Sequence, residues 1–122
     1  MITKNINILF KESISIKKLC LKQGLECIAN IGDEACKSIQ NNGKLMLCGN
    51  GGSAADAQHL AAEMLIRLRP KNNREAVAAI TLAQDISTIT ACGNDFGYDT
   101  LYARTLKALG RKEDCLIGIT TS

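Results

Sequence analysis

With 122 residues, 46% of them hydrophobic and 22% charged, the chain has the size of one ordinary domain and enough apolar matter for a core, which excludes the disordered and fibrous classes. The net charge of +3 is dispersed, and aromatics make up only 3%, so the basic patch and stacking platforms of a nucleic-acid binder are missing. No apolar run nears the roughly 20 residues that span a bilayer, and MITKNINILFKESISIKK scatters Asn and Lys through its apolar positions, unlike a signal peptide; no nucleic-acid or membrane partner is expected, and a cytoplasmic location is.

Residues 7–31 carry Ile8, Leu9, Ile14, Ile16, Leu19, Leu21 and Leu25 at helical spacing. A second helix is expected over 32–43, with Asp33 and Glu34 in its first turn and Asn41-Asn42-Gly43 at its end. The apolar run 44–48 reads as a buried strand leading into glycines. From Ser53 the pattern is helical to about Arg69, before Pro70. Residues 76–82, AVAAITL, form the second expected strand. Residues 85–93 open a short helix at Asp85, 93–99 (GNDFGYD) form a loop, and 101–110 form a helix closed by Gly110. Residues 114–122, DCLIGITTS, are the third expected strand.

This alternation points to an α/β fold, a parallel sheet sandwiched by helices. Residues 1–42 are expected as N-terminal helices and 43–122 as the sheet core, together one partial domain. Ligands of such sheets bind beyond the carboxyl ends of the strands. The loops at Gly49–Ser53, after Leu82, and at Thr120–Ser122 all fall there.

The six cysteines contain no C-x-x-C pair, so zinc-ribbon and thioredoxin-like readings lack support. Several stand among apolar residues, as in LMLCG and DCLIG, and buried reduced thiols are expected.

CGNGGSAADAQHLAAEML, residues 48–65, concentrates the chemistry. Gly49, Asn50, Gly51 and Gly52 allow a tight turn with N–H groups close to a ligand. Ser53 reads as an N-cap, with Asp56 completing a capping-box-like start, and a helix N-terminus there favours an anion such as phosphate. The segment fails as a Walker loop, since no lysine follows the glycines, and Gly49-x-Gly51-x-x-Ala54 fits only the looser dinucleotide pattern. His59, the one histidine, and Glu63 stand four apart on one helix face. That spacing suits a divalent metal such as zinc, or an ordinary His–Glu surface pair.

CGNGGSAADAQHLAAE, together with TACGNDFGYD and ALGRKEDCLIGITTS, resembles the phosphoheptose isomerases of the sugar-isomerase (SIS) superfamily, from the N-terminal helices to the last residue. The resemblance implies a flavodoxin-like SIS fold and conversion of sedoheptulose 7-phosphate to D-glycero-D-manno-heptose 7-phosphate, towards the heptose of bacterial lipopolysaccharide. It also implies a cytoplasmic homotetramer with one zinc per subunit and active sites at subunit interfaces. By motif, Asn50, Gly51, Gly52 and Ser53 match the substrate-binding loop. His59 and Glu63 match two zinc ligands, and Glu63 also matches the catalytic base. Asn94 and Asp95 match a second substrate-binding pair. Thr120, Thr121 and Ser122 align with a phosphate-binding Ser-Thr-Ser.

The family pattern continues beyond Ser122 with a glycine and a serine, then with a glutamine and a histidine that complete the metal set and the acid–base pair. The chain therefore resembles a C-terminally truncated member. By itself it is expected to have little isomerase activity. Some SIS proteins instead associate with the bacterial replication initiator and lack the glutamate; Glu63 and the intact GNDFGYD point to the enzyme lineage.

Overall fold

The computed structural model describes residues 2–83 and 85–121. They fall into two compact units, one running up to Glu34 and the other from Ala35 onward.

The first unit is helical. Helix α1 spans Ile2–Gln23 and α2 spans Leu25–Gln40. The break falls at Gly24 rather than at Gly32, where the sequence suggested it. Gly24 N still donates to Cys20 O at 2.7 Å, and Ile28 N donates to Gly24 O at 3.0 Å, so helical bonding runs through the junction. Gly32 lies inside α2, and Asp33 and Glu34 are mid-helix residues. One glycine costs a helix about 1 kcal/mol, less than ending it and nucleating another. No residue of α1 is buried, and Leu9 and Phe10 are 64% and 67% exposed. Cys20, Cys27 and Cys36 are exposed as well, and Cys92 alone of the six cysteines is buried. The expected buried thiols thus reduce to Cys92 and the half-buried Cys48 and Cys115, because the others ride on helices with little packed against them.

The second unit is built on β1 (Leu45–Gly49), the middle strand of a parallel sheet ordered β2-β1-β3. Strands β2 and β3 are Ala79–Thr81 and Cys115–Ile119. Leu45 stands opposite Ala79 on one side and Cys115 on the other. Helix α3 (Gly52–Leu65) covers one face. Its Ala57 and Ala61, four apart, join Leu45 and Leu47 in the core, with Ala35 and Ile39 of α2 against them. Two small residues on one helical stripe let the helix lie close to the strand. Helix α4 (Ile86–Asp95), a 3₁₀ turn (Tyr98–Thr100) and α5 (Leu101–Leu109) complete the unit. Asp85 caps α4 by accepting from Thr88 N at 2.7 Å, and those bonds hold its carboxyl below the ordinary range. Gly110 ends α5 as its sequence suggests.

Further expected boundaries move: the second strand, expected over 76–82, is Ala79–Thr81, and the third, expected over 114–122, is Cys115–Ile119. Helix α3 starts at Gly52 after an N-cap at Gly51, with no side-chain cap. The expected Ser53–Asp56 capping box is therefore absent; Ser53 lies inside the helix, 8% exposed, with its backbone packed against the strand end. Helix α3 also stops at Leu65, short of Arg69. The carbonyls of its last turn are taken by the returning chain: Arg74 Nη2 donates to Glu63 O at 2.6 Å and Val77 N to Met64 O at 3.1 Å. Finally, α4 extends through Asn94 and Asp95, which the sequence placed in a loop.

Gly49 sets the junction between β1 and α3. A Cβ there would lie 2.7 Å from the backbone C and O of Ser53, closer than any real side chain sits. The next turn uses Gly51 at φ 57°, the left-handed region that favours glycine.

The amino end of the sheet is locked by Asp114. Its Oδ1 accepts from Lys44 N at 2.9 Å, and its Oδ2 accepts from Lys44 Nζ at 2.5 Å and Arg111 N at 2.7 Å. The Asp114 side chain is only 5% exposed. Its burial resists ionisation, but the bonds from Lys44 and Arg111 outweigh that and hold its pKa below the ordinary value.

Two stability measurements follow from these contacts. Asp114→Asn should cost about 1–3 kcal/mol near neutral pH, as expected for buried donors left without their acceptor. With a folded pKa below the ordinary Asp value of about 3.9, the contribution is whole above pH 4 and is lost as pH falls through the folded value. Urea melts should show the gap between wild type and D114N narrowing below pH 4; a gap unchanged to pH 2 would contradict the lock. Gly49→Ala should lower stability by about 1–3 kcal/mol through overpacking, whereas Gly51→Asn, which tolerates positive φ, should lose less. Equal, negligible losses would show that the β1–α3 approach is not tight.

Candidate functional site

The carboxyl ends of β1 and β3 lie side by side, since Gly49 pairs with Ile119. Beyond them opens a cavity of about 350 Å³ whose wall includes Cys48, Asn50, Ser53, Tyr102, Thr120 and Thr121. Four sequence-predicted residues thus meet at one place: Asn50 and Ser53 from the glycine turn, Thr120 and Thr121 from the end of β3. Gly51 and Gly52 form the turn between them. Ser122 lies outside the described residues.

The turn decides which donors remain. Ser53 N closes on Asn50 O at 3.1 Å, and Ala54 N and Ala55 N close on Gly51 O at 3.1 and 3.3 Å. Among the described residues the N–H groups of Gly51 and Gly52 are left without a backbone acceptor at this helix start. They stand at the positive end of α3 and can receive an anion. Thr120 and Thr121 line the same space. Cys48 is desolvated enough that its thiol is pushed above its ordinary pKa; it stays protonated and is a poor nucleophile.

His59 and Glu63 lie farther along α3 and do not wall that cavity. They do stand together: His59 Nε2 is 3.5 Å from Glu63 Oε1. The two environments differ, His59 being 72% and Glu63 21% exposed at the side chain. Glu63 Oε2 is buried and has no hydrogen-bond partner among the described residues. A buried carboxylate oxygen with an open lone pair is unusual in a folded chain, and it is what a proton acceptor or a metal ligand requires.

A zinc ion would find the right donor types on this helix face. A catalytic zinc site takes three protein ligands and a water, however. Among the described residues no group of three His, Cys, Asp or Glu side chains comes together. His59 and Glu63 by themselves supply two such donors, one short of that set.

Asn94 and Asp95 end α4, where Asn94 Nδ2 donates to Asp95 Oδ1 at 2.8 Å. Asp95 borders a separate groove between α4 and α5, beside Arg104 and Phe96, where the Arg104 guanidinium sits 3.5 Å over the Phe96 ring. Two residues that sequence reasoning passed over reach the glycine turn instead. Tyr98 OH donates to Asn50 Oδ1 at 2.7 Å. Tyr102 OH donates to Gly49 O and stands 2.8 Å from Asn50 Oδ1. The signal was their spacing, four apart, as the only tyrosines in an aromatic-poor chain.

Known proteins resemble this chain in sequence and in fold. A phosphoheptose isomerase of Chlorobaculum parvum is 46% identical over 110 residues, 90% of this chain and 53% of that protein. One from Paramagnetospirillum magneticum is 57% identical over 90 residues, 73% of this chain and 46% of that protein. Among solved structures, the phosphoheptose isomerase of Neisseria gonorrhoeae superposes with a TM-score of 0.88 at 39% identity, covering the whole of this chain and 62% of that one. That of Francisella tularensis gives a TM-score of 0.91 at 34% identity, covering 100% of this chain and 63% of its own. The chain thus spans about half the length of the curated relatives it matches. The SIS domain family model matches residues 10–122, and with a strand–turn–helix cradle at the carboxyl edge of a parallel sheet, the chain belongs to the SIS domain family.

Proposed function

We propose that this chain carries the phosphosugar cradle and the base of a phosphoheptose isomerase, acting between sedoheptulose 7-phosphate and D-glycero-D-manno-heptose 7-phosphate. The observation that carries the reading is the buried Oε2 of Glu63, without a hydrogen-bond partner among the described residues, on the helix whose N-terminus forms the anion cradle. The chain's relatives bear the name phosphoheptose isomerase, which supports the substrate class.

The chemistry needs little else from these residues. The Gly51 and Gly52 N–H groups, with Ser53, Thr120, Thr121 and Ser122, hold the phosphate end. Asn50 contacts the sugar hydroxyls, whereas Asn94 and Asp95, a substrate-binding pair by resemblance alone, end α4 with Asp95 beside a separate groove. The Glu63 carboxylate takes a proton from C1 of the ketose, the electron pair forms the enediol, and the proton returns at C2 while the O1 hydroxyl proton passes to O2. The balance is neutral: no redox partner enters, and one C–H bond breaks as another forms. Zinc belongs to the proposal as an ion that His59 and Glu63 would hold jointly with further donors, and it would polarise the carbonyl and enediolate oxygens.

Assembly and location are part of the same reading. The exposed apolar residues of α1 and α2, among them Leu9, Phe10, Ile28 and Ile31, support burial against further copies, as a homotetramer would provide. No described helix is long and apolar enough to cross a membrane, in keeping with a cytoplasmic enzyme.

Calorimetry with sedoheptulose 7-phosphate and a coupled isomerase assay test the reading. The 122-residue chain should bind the sugar phosphate and show little turnover by itself. Turnover should appear on adding the C-terminal part of a relative in trans with zinc. In that reconstituted system Glu63→Gln should lower kcat at least 10³-fold with little change in binding, since the amide keeps the shape but cannot accept the proton. No binding at millimolar sugar phosphate, or an E63Q variant as active as wild type, would overturn the assignment.

A further inference from the structure

The two stretches that carry the sequence signal, CGNGG and GNDFGYD, are joined by hydrogen bonds whose purpose the reaction does not explain. Both tyrosine hydroxyls converge on a single acceptor, Asn50 Oδ1, at 2.7 Å from Tyr98 and 2.8 Å from Tyr102. Tyr102 also donates to the Gly49 carbonyl. A carbonyl can only accept, so Tyr102 must be a donor here, and its proton is shared between Gly49 O and Asn50 Oδ1. The Asn50 atom within reach of both hydroxyls is its oxygen. Its Nδ2, at the opposite corner of the planar amide, has no acceptor among the described residues, and Asn50 walls the cavity.

The tyrosines are themselves anchored. Gly97 takes φ 89°, and Thr100 Oγ1 donates back to Gly97 O at 3.0 Å. The buried Cys92 Sγ sits 3.4 Å from Thr100 Oγ1. This pins the turn that presents Tyr98, while Tyr102 is fixed on the first turn of α5. Burial and the neighbouring Tyr98 and Cys48 push the Tyr102 hydroxyl above its ordinary pKa, so it remains a donor across the neutral range.

We propose that Tyr98 and Tyr102 are positioning residues: together they clamp the Asn50 carboxamide by its oxygen and so aim its Nδ2 donors at an oxygen of the bound sugar phosphate. The role rests on the phosphosugar reading above. A lone asparagine on a glycine turn would sample several rotamers, and ordering it would be charged against binding. Held in advance, it discriminates as well: a site whose donor cannot rotate into an acceptor rejects ligands lacking an oxygen at that place. The clamp gives one role to Tyr98, the last aromatic residue of GNDFGYD, and to Tyr102, four residues on.

NMR on the intact 122-residue chain tests it. The Asn50 Nδ2 signals are followed in wild type, Tyr98→Phe, Tyr102→Phe and the double variant, with and without sedoheptulose 7-phosphate. Phenylalanine keeps each ring, and unchanged backbone spectra certify the fold. In wild type without ligand the Asn50 amide should be as ordered as the backbone. In the double variant it should become mobile, and affinity for the sugar phosphate should fall about tenfold, the worth of one hydrogen bond. Asn50→Ala added to the double variant should then cost nothing more, because the two sets of changes remove the same interaction. An Asn50 amide equally ordered in all four proteins, or affinity unchanged in the double variant, overturns the clamp. A wild-type chain with an ordered Asn50 that binds no sugar phosphate instead overturns the phosphosugar reading, and with it the ligand aimed at, while the change in order parameter still reports the tyrosine contacts separately.

Discussion

The structure turns on the absence of one methyl-sized group at the end of β1. With no Cβ at Gly49, the first turn of α3 comes within 2.7 Å of where that atom would be. Helix and strand can then meet at a sharp angle while Ala57 and Ala61 drop onto Leu45 and Leu47. The rest is geometry: a helix that begins hard against the strand tip points its unsatisfied N–H groups over the carboxyl edge of the sheet. Its later turns then carry His59 and Glu63 in a fixed relation to that edge. Any residue larger than glycine at position 49 would displace cradle and base together.

Stability and chemistry are placed at opposite ends of the same strand. At the amino end Lys44 and Asp114 tie β1 to the segment entering β3, and Ser38 Oγ adds a bond to Glu113 O at 2.7 Å. At the carboxyl end Asn50, Ser53, Thr120 and Thr121 wall a cavity, and farther along α3 Glu63 Oε2 is buried without a hydrogen-bond partner among the described residues. Satisfied polar groups hold the frame at one end, and at the other the Gly51 and Gly52 N–H groups have no backbone acceptor among the described residues. That division is the usual physical signature of a binding site on a rigid scaffold.

Much of this was legible in the residues. The strand 44–48, the helix beyond the glycines, the Gly110 stop and the parallel order all follow from local pattern, and the structure differs by a residue or two at most of these ends. The i, i+4 spacing of His59 and Glu63 put both on one helix face, and there they stand 3.5 Å apart. What the pattern could not show depends on tertiary contact. Ser53 looks like a cap, but the strand approach buries it one residue inside the helix. Arg69 looks like the helix end, but Arg74 and Val77 claim the carbonyls of the last turn earlier. Asn94 and Asp95 look like loop residues because Gly93 and Gly97 flank them, yet the helix carries through Gly93. The tyrosine clamp joins positions 48 and 52 apart in sequence, and no local signal encodes a contact of that range.

The central claim is that the Gly51–Gly52 turn and the end of β3 form one anion cradle. Amide NMR of the isotopically labelled chain, titrated with sedoheptulose 7-phosphate and in parallel with inorganic phosphate, tests it most directly. The account predicts saturable shifts at the Gly51, Gly52, Thr120 and Thr121 amides with both ligands. It predicts shifts at Asn50 and Glu63 with the sugar phosphate alone. Shifts confined to exposed lysines, or changes at one loop without the other, would contradict it.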